Sequence, residues 1–160
     1  MRSSAAPLYF PIYQNYIDGG VVANNPSVCA LSQVLDSKTP LAESKSVVVL
    51  SLGTGDNPEC ITSKEGDWGL WQWKLQLIDI LTSAASGLAD YQCHQLLNER
   101  YCRLNPDLIE AIGLDDVGRI NDLIAIADQA VQGPLFIDVL HFIDEVWFRQ
   151  AAPESKPTRA

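Results

Sequence analysis

The chain has 160 residues, of which 47% are hydrophobic and 19% are charged, the balance of one ordinary folded domain. Acidic residues outnumber basic ones by 20 to 11, and no run of lysine or arginine is long enough to follow a phosphate backbone. The composition excludes a wholly disordered chain, and the net charge of -9 argues against nucleic acid or a strongly anionic membrane surface as a partner.

The start of the chain and its cysteines favour a soluble, cytoplasmic protein. Residues 1–7 contain no apolar segment of the kind that a signal peptide needs, and no apolar run approaches the roughly 18 residues of a membrane-spanning helix. The four cysteines show no C-x-x-C spacing, so we expect free thiols in a reducing compartment. They are Cys29, Cys60, Cys93 and Cys102.

The first predicted elements are an extended segment, a helix and a strand. Residues 13–17 could be extended. Asn25-Pro26 predicts an N-cap followed by proline at the first helical position, and apolar spacing carries this helix over about 27–35. The β-branched run 47–52, closed by Gly53-Thr54-Gly55, is typical of a strand that is buried on both faces and ends in a tight turn.

Helices dominate the second half of the predicted fold. Apolar spacing predicts four of them, over about 68–81, 87–99, 117–131 and 135–149. A short extended piece at 101–104 should end at Asn105-Pro106. Residues 151–160 are polar and rich in proline, and we expect them to be disordered. The order of strand, turn, helix and strand predicts an α/β fold.

The stretch Y-I-D-G-G-V-V-A-N-N-P, residues 16–26, places a carboxylate in a glycine-rich turn. Gly19 and Gly20 can adopt positive φ and let another backbone approach, so the turn can present Asp18 towards a neighbouring element. Partial desolvation beside apolar neighbours would make this aspartate a better proton acceptor. From spacing alone, a plain turn followed by a helix start is the favoured explanation of the same residues.

Three motifs in order resemble those of the patatin-like phospholipases: S-S-A-A-P-L-Y-F at 3–10, the stretch at 16–26, and V-V-V-L-S-L-G-T-G at 47–55. Weaker similarity continues through Y-C-R-L-N at 101–105 and L-D-D at 114–116. The resemblance implies an α/β fold that forms part of a three-layer patatin-like sandwich, with few strands and flanking helices. It also implies a lipid acyl hydrolase that uses a Ser/Asp dyad.

Matched residue by residue, Asp18 resembles the proton acceptor of that dyad, and Gly19 and Gly20 complete its D-G-G motif. The residues expected to support the turn are Asn24, Asn25 and Pro26. In such a dyad the aspartate takes the serine proton, the alkoxide attacks the ester, and water later resolves the acyl-enzyme. The resemblance implies a phospholipid, galactolipid or acylglycerol substrate and peripheral membrane contact, with no metal and no cofactor.

The nucleophile of the dyad is absent from these residues. Neither a G-x-S-x-G elbow nor a D-G-G-G-x-R-G loop occurs in the sequence. We therefore expect residues 1–150 to be the C-terminal part of a patatin-like domain, and the chain alone to be inactive, marginally stable and prone to self-association. The competing hypothesis is an inactive remnant or interaction module that retains half of the fold.

Other candidate sites have simpler explanations. Cys93 and His94 would point about 100° apart on a helix, and no cysteine or histidine pair has the spacing of zinc ligands. The turn at 53–55 could cradle a phosphate, but the lysine of a P-loop is missing. The segment W-G-L-W-Q-W-K-L-Q-L, residues 68–77, fits either core packing or an acyl-chain pocket and interfacial surface.

Overall fold

A computed structural model describes residues 14–16, 18–36, 47–58 and 70–151. The α-helices are α1 (Gly20–Ala23), α2 (Ser27–Val34), α3 (Leu70–Leu97), α4 (Ile120–Ala130), α5 (Pro134–Phe142) and α6 (Phe148–Ala151). The strands are β1 (Val49–Leu52) and β2 (Tyr101–Leu104). Short 3₁₀ turns cover Asn98–Arg100 and Val117–Arg119, and a π-helical turn covers Ile143–Trp147.

The two strands pair in parallel, with Val49 opposite Tyr101 and Leu52 opposite Leu104. Parallel strands need a crossover connection, and α3 lies in that connection between β1 and β2. Strands and flanking helices in this arrangement confirm the predicted partial α/β fold. The predicted break after β2 is also confirmed, because the strand ends at Leu104, directly before Asn105-Pro106.

The strand β1 is covered more fully on one face than on the other. Ser51 is buried and Val49 packs against the core, whereas Leu52 at the end of the strand is 68% exposed. Side chains alternate between the faces of a strand, so Val49 and Ser51 share the covered face. The expectation of a strand buried on both faces is therefore wrong, since α2 and α3 contribute to the core on one side.

The core forms where α2, α3 and β2 meet. Leu31 from α2, Cys93 and Leu97 from α3 and Tyr101 from β2 are all nearly inaccessible, and Val49 packs against them. Burial of these side chains removes apolar area from water and holds the two helices against the sheet. The sequence predicts α2 well, because the helix observed over Ser27–Val34 lies within the predicted range.

The helix α3 runs without a break through the point where two separate helices were predicted. Gly87 lies inside it and costs about 1 kcal/mol relative to alanine. Ala89, Cys93 and Leu97 are buried at successive four-residue intervals on α3, and their packing outweighs the glycine. Trp68 and the side chains of residues 70–76 lie outside the described part of the chain, so the tryptophan-rich segment stays a prediction.

The helix α4 falls inside the predicted range 117–131. The helix predicted over 135–149 begins one residue earlier, at Pro134, and is divided into α5, the π-helical turn and α6. Val139 and Phe142 bury one face of α5. In the described ranges, no single helix is long and apolar enough to cross a membrane. The two helical segments 117–130 and 134–147, which meet at 60°, together have the length and apolar composition of a membrane span. The motif at 3–10, Tyr13, Ile17 and residues 152–160 lie outside the described residues.

Candidate functional site

The chain enters the aspartate turn through two residues in the left-handed region. Gln14 has φ of 50° and Asn15 has φ of 64°. Residues 13–17 are therefore not continuously extended, and the prediction of an extended lead-in is wrong at these two positions. Asparagine tolerates this conformation better than most residues because its short polar side chain can bond the local backbone.

Asp18 lies half-buried at the start of α1. Its Oδ1 accepts a hydrogen bond from the backbone N–H of Gly20 at 2.9 Å, and its carbonyl oxygen accepts one from Val21 at 3.3 Å. The first N–H groups of a helix have no intrahelical acceptor, so the carboxylate satisfies one of them. The bond from Gly20 orients the carboxylate, and the bond from Val21 holds the backbone of Asp18 in the turn.

The two glycines of the motif do not use the conformational freedom that was expected of them. Gly19 has φ of -64°, and Gly20 is already helical, because α1 begins directly after Gly19. A Cβ on Gly19 would meet nothing within 4 Å. A Cβ on Gly20 would lie 3.4 Å and 3.5 Å from the two oxygens of Asp18. The missing side chain at Gly20 therefore keeps a methyl group off the carboxylate.

Asn25 is buried and joins two helices. Its Oδ1 accepts hydrogen bonds from the N–H of Ser27 at 3.1 Å and from the hydroxyl of Ser27 at 2.6 Å, while its Nδ2 donates to the carbonyl of Ser86 at 3.3 Å. The helix α2 begins at Ser27, one residue later than the Asn25-Pro26 pattern predicts. Asn24 is exposed, with Oδ1 3.5 Å from the Cβ that Gly20 lacks.

A chain of hydrogen bonds continues from Asn25 to the sheet. The hydroxyls of Ser27 and Ser51 lie 3.0 Å apart, and Nη1 of Arg103 donates to Oγ of Ser51 at 2.7 Å. Nη2 of Arg103 donates to Oγ of Ser86 at 3.4 Å. We call Asn25, Ser27, Ser51, Ser86 and Arg103 the serine–arginine network. It ties α2, β1, β2 and α3 together through polar contacts.

Sequence reasoning missed the serine–arginine network, although one signal was present. Ser51 and Arg103 are polar residues inside two short runs that predict strands. A polar or charged side chain that is buried in a strand needs a hydrogen-bond partner. The polar residues Ser51 and Arg103 in these runs therefore indicate that such partners exist. The partners lie 24 and 52 residues away along the chain, and the sequence pattern does not identify them.

Asp90 and Tyr101 extend the polar contacts along α3. The hydroxyl of Tyr101 donates to Oδ1 of Asp90 at 2.8 Å, and Nε of Arg103 lies 3.9 Å from the same oxygen. Burial, followed by the hydrogen bond to Asp90, raises the pKa of Tyr101 above its ordinary value. The tyrosine therefore stays protonated at neutral pH and acts as a donor.

The Gly53-Thr54-Gly55 turn is closed by the end of β2. Gly55 has φ of 104°, and its N–H donates to Oδ1 of Asn105 at 2.9 Å. A Cβ on Gly53 would lie 1.9 Å from the same oxygen, so only glycine allows this close approach. The Gly55 N–H that a bound phosphate would require is already bonded to Asn105, which argues against a phosphate site at this turn.

Among the described cysteines, Cys93 has the character of a packing residue. Cys93 is fully buried, and burial, with a smaller effect of Asp90, raises the pKa of its thiol. His94 is exposed and its ring meets that of Tyr101 edge-on at 4.7 Å. Cys29, Cys93 and Cys102 are free thiols, whereas Cys60 lies outside the described residues. In the described ranges, no three His, Cys, Asp or Glu side chains come together as a metal site.

Comparison with known proteins decides the family. The chain is 31% identical over 139 residues to Patatin-like protein 2 of Oryza sativa subsp. indica, covering 66% of this chain and 34% of that protein. It is 29% identical to Protein teg of Priestia megaterium, covering 92% and 52%, and 28% identical to Patatin-like protein 3 of Arabidopsis thaliana, covering 76% and 36%. These matches assign the chain to the patatin-like family.

The patatin-like assignment rests on relatives that are longer than the chain. The matched region spans between about a third and about a half of the lengths of these three proteins. No family model matches the chain, and no solved structure is significantly similar to it. The parallel strands with flanking helices described above agree with a partial patatin-like α/β fold.

Proposed function

We propose that this patatin-like chain supplies Asp18 as the proton acceptor of a Ser/Asp dyad in a lipid acyl hydrolase. The observation that supports the proposal is how the carboxylate of Asp18 is positioned. Asp18 is half-buried, held by the N–H of Gly20 at 2.9 Å, and left without a methyl neighbour by that glycine. A carboxylate fixed in direction and accessible on one side suits proton transfer, because the transfer needs close approach of the hydroxyl.

The proposed chemistry follows from this geometry. The carboxylate of Asp18 takes the proton of a serine hydroxyl as the oxygen attacks the carbonyl carbon of a lipid ester. The protonated Asp18 then gives this proton to the leaving oxygen, which departs as the alcohol. The carboxylate, ionised again, takes a proton from the water that hydrolyses the acyl-enzyme. The bond from Gly20 orients the carboxylate, which in this proposal acts directly as the base without an intervening histidine. Backbone N–H groups near the serine would stabilise the oxyanion.

The proposal places the serine outside these 160 residues. They contain no G-x-S-x-G motif, so in this proposal residues 1–150 are the C-terminal part of a patatin-like domain whose other part holds the elbow. The substrate is a lipid ester, and contact with a lipid surface would accompany catalysis. An in-frame G-x-S-x-G within about 200 codons upstream of the Met1 codon is the expected arrangement, given the size of ordinary domains.

An assay of the purified chain tests the division of the dyad. The 160-residue chain should not hydrolyse phospholipid or short-chain p-nitrophenyl esters. The same chain joined to the upstream segment that carries the elbow should hydrolyse them, and Asp18→Ala should abolish that activity. Asp128→Ala, which removes an exposed carboxylate from α4, is the matched control and should retain it.

Two results would reject this arrangement. Turnover by the isolated chain that disappears in Asp18→Ala would mean that the chain contains its own nucleophile. Full activity of the joined polypeptide carrying Asp18→Ala would mean that another group takes the serine proton. A joined polypeptide that folds but shows no turnover would favour the competing hypothesis of a non-catalytic module.

A further inference from the structure

A cavity of about 220 Å³ lies at the carboxyl end of the two parallel strands. One wall is a single face of α3, formed by Ser83, Ser86, Gly87 and Asp90 at spacings of three, one and three residues. The opposite wall comes from the sheet and its loops. Open α/β sheets commonly bind ligands outside the carboxyl ends of their strands, so the location is one where a ligand is expected.

The loop wall of the cavity is held in place by backbone hydrogen bonds. The N–H of Asp56 donates to the carbonyl of Pro106 at 3.0 Å, and the N–H of Leu108 donates to the carbonyl of Asp56 at 2.8 Å. Oδ1 of Asn57 accepts from the N–H of Ile112 at 3.1 Å. Because these bonds link the loop after β1 to the chain after β2, the wall is formed before a ligand arrives, which lowers the entropic cost of binding.

The lining offers both donors and acceptors. Arg103 carries five N–H groups, of which the bonds to the two serine hydroxyls use two. The carboxylates of Asp56 and Asp90 accept hydrogen bonds, and serine hydroxyls can do both. A ligand that fills this cavity must therefore donate to the carboxylates and accept from the guanidinium at the same time.

The charge of the cavity lining further restricts which ligands can bind, among those that both donate and accept hydrogen bonds. Among the described residues of the lining, Arg103 contributes one positive charge, and Asp56 and Asp90 contribute two negative charges, which sum to -1. The whole chain is also negative, at -9. An anion would be repelled by both, and an acyl chain would leave the charged groups without partners. A neutral group with several hydroxyls satisfies donors and acceptors together.

We propose that this cavity binds a neutral polyhydroxylated group of the size of glycerol or a single sugar ring. The volume supports a small group, since pockets for drug-sized ligands measure roughly 300–1,000 Å³. The group could be a free polyol or the headgroup of a glycolipid, and both present the same hydroxyl chemistry. The cavity lining does not include Asp18, so the proposal holds whether or not the chain takes part in ester hydrolysis.

Titration of the isotope-labelled 160-residue chain with galactose, glycerol and inorganic phosphate tests the proposal. Amide signals of Asn57, Ser86 and Gly87 should shift with galactose and with glycerol at millimolar Kd, and not with phosphate. Gly87→Leu should weaken galactose binding at least about tenfold, because a Cβ there meets nothing within 4 Å and the side chain can extend into the open space. Ala84→Leu, which places the same leucine side chain on an exposed part of α3, is the control.

Two further variants keep the proposal testable if Gly87→Leu does not fold. Ser83→Leu narrows the same cavity from an exposed position, and it should weaken galactose binding as Gly87→Leu does. Asp90→Asn keeps an oxygen that can accept from Tyr101 and should weaken galactose binding by about threefold, because a charged acceptor is replaced by a neutral one. The proposal is overturned if cavity amides do not shift at about 100 mM galactose, if phosphate binds more tightly than galactose, or if all variants bind galactose equally.

Vesicles separate the two sources of the polyol. The chain is sedimented with phosphatidylcholine vesicles with and without galactosyl diacylglycerol, in the presence and absence of free galactose. Binding that requires the galactosyl lipid and is displaced by galactose supports the proposal with a headgroup as ligand. Binding of free galactose without vesicle binding supports it with a free polyol. Vesicle binding that galactose neither mimics nor displaces would overturn it.

Discussion

The segment from Asp18 to Ser27 contains two halves that are held in different ways. The first half, Asp18 with its two glycines, is at least partly open to solvent and is fixed by bonds to residues two and three positions away. The second half, Asn25 and Ser27, is buried at 4% and 6% exposure and bonds to residues on α3 and β1. One sequence motif therefore combines a half-buried carboxylate at a helix start with buried side chains that contact distant parts of the fold.

This difference predicts that the first half of the segment serves the proposed catalysis and that the second half stabilises the fold. Asn25, Ser27 and Ser51 of the serine–arginine network are buried, so each partner that they lose leaves a buried donor or acceptor unsatisfied. Asp18 is half-buried, and water can reach the Gly20 N–H at the helix start to which its carboxylate is bonded. Substitutions in the network should therefore lower the free energy of unfolding, whereas those at the carboxylate should leave it nearly unchanged.

The largest effect is expected at Arg103, whose side chain is 16% exposed. Arg103→Ala removes the donor to Ser51 and Ser86 and leaves Asp90 without its cation, which should lower the free energy of unfolding by about 3 kcal/mol. Urea denaturation measures it. The control is Arg149→Ala, because that side chain is 72% exposed and pairs with Glu145 on the surface, where loss costs at most about 0.5 kcal/mol. Equal losses in both variants would contradict a structural role of the network.

The two neighbouring asparagines provide the next test. Asn25→Ala should lower the free energy of unfolding by about 2 kcal/mol, since the N–H of Ser27 and the carbonyl of Ser86 lose their partner in a buried place. Asn24→Ala changes the same residue type one position earlier, at an exposed site, and should cost less than about 0.5 kcal/mol. Thermal or urea unfolding of both variants would show whether burial decides the difference. A larger loss at Asn24 would mean that the motif is held mainly from its exposed side.

Glycine substitutions should change stability in opposite directions. Gly53→Ala places a Cβ 1.9 Å from Oδ1 and 2.5 Å from Cγ of Asn105, and moving that side chain breaks its bond to Gly55, so we expect a loss of about 1–2 kcal/mol. Gly19→Ala meets nothing within 4 Å at φ of -64° and should stabilise by about 0.5 kcal/mol through the unfolded state. Melting temperatures measure both. Destabilisation by Gly19→Ala would show that Gly19 is required for more than its backbone.

The smallest effect is expected from alkaline pH. Burial and the bond to Asp90 raise the pKa of Tyr101, so the folded chain holds this proton to higher pH than the unfolded chain does. The resulting stability is complete below the ordinary tyrosine pKa of about 10 and is lost as the pH rises through the folded-state value. Between pH 8 and pH 11, the free energy of unfolding should fall less in Tyr101→Phe than in Tyr91→Phe, whose ring is exposed. Identical falls would contradict this.

Local sequence patterns predicted the elements of this fold, and long-range contacts set the details. The β-branched run at β1, the piece at β2 and the proline after it, and the helices α2, α4 and α5 carry their signals within a few residues. The continuity of α3 through Gly87 depends on packing of residues further along the helix, which outweighs local propensity. The partly open side of β1 likewise depends on which elements cover it.

The candidate site was predictable only in part. The sequence indicates the position of Asp18 and its two glycines, but the right-handed conformation of Gly19 follows from where α1 begins, and propensity does not determine that boundary. The roles of Ser51 and Arg103 arise from pairing of residues that are far apart in the chain. A polar residue in a predicted strand reports that such a partner is needed without identifying it.

The most direct test of the central claim measures turnover and stability of Asp18→Asn together. The polypeptide that joins this chain to the segment carrying the serine elbow is assayed with a lipid ester, and its unfolding free energy is measured in the same buffer. We predict that turnover falls by at least about 100-fold, as for loss of a general base, while the free energy of unfolding changes by less than about 0.5 kcal/mol. Unchanged turnover, or a loss of turnover matched by unfolding, would contradict the assignment of Asp18 as the proton acceptor.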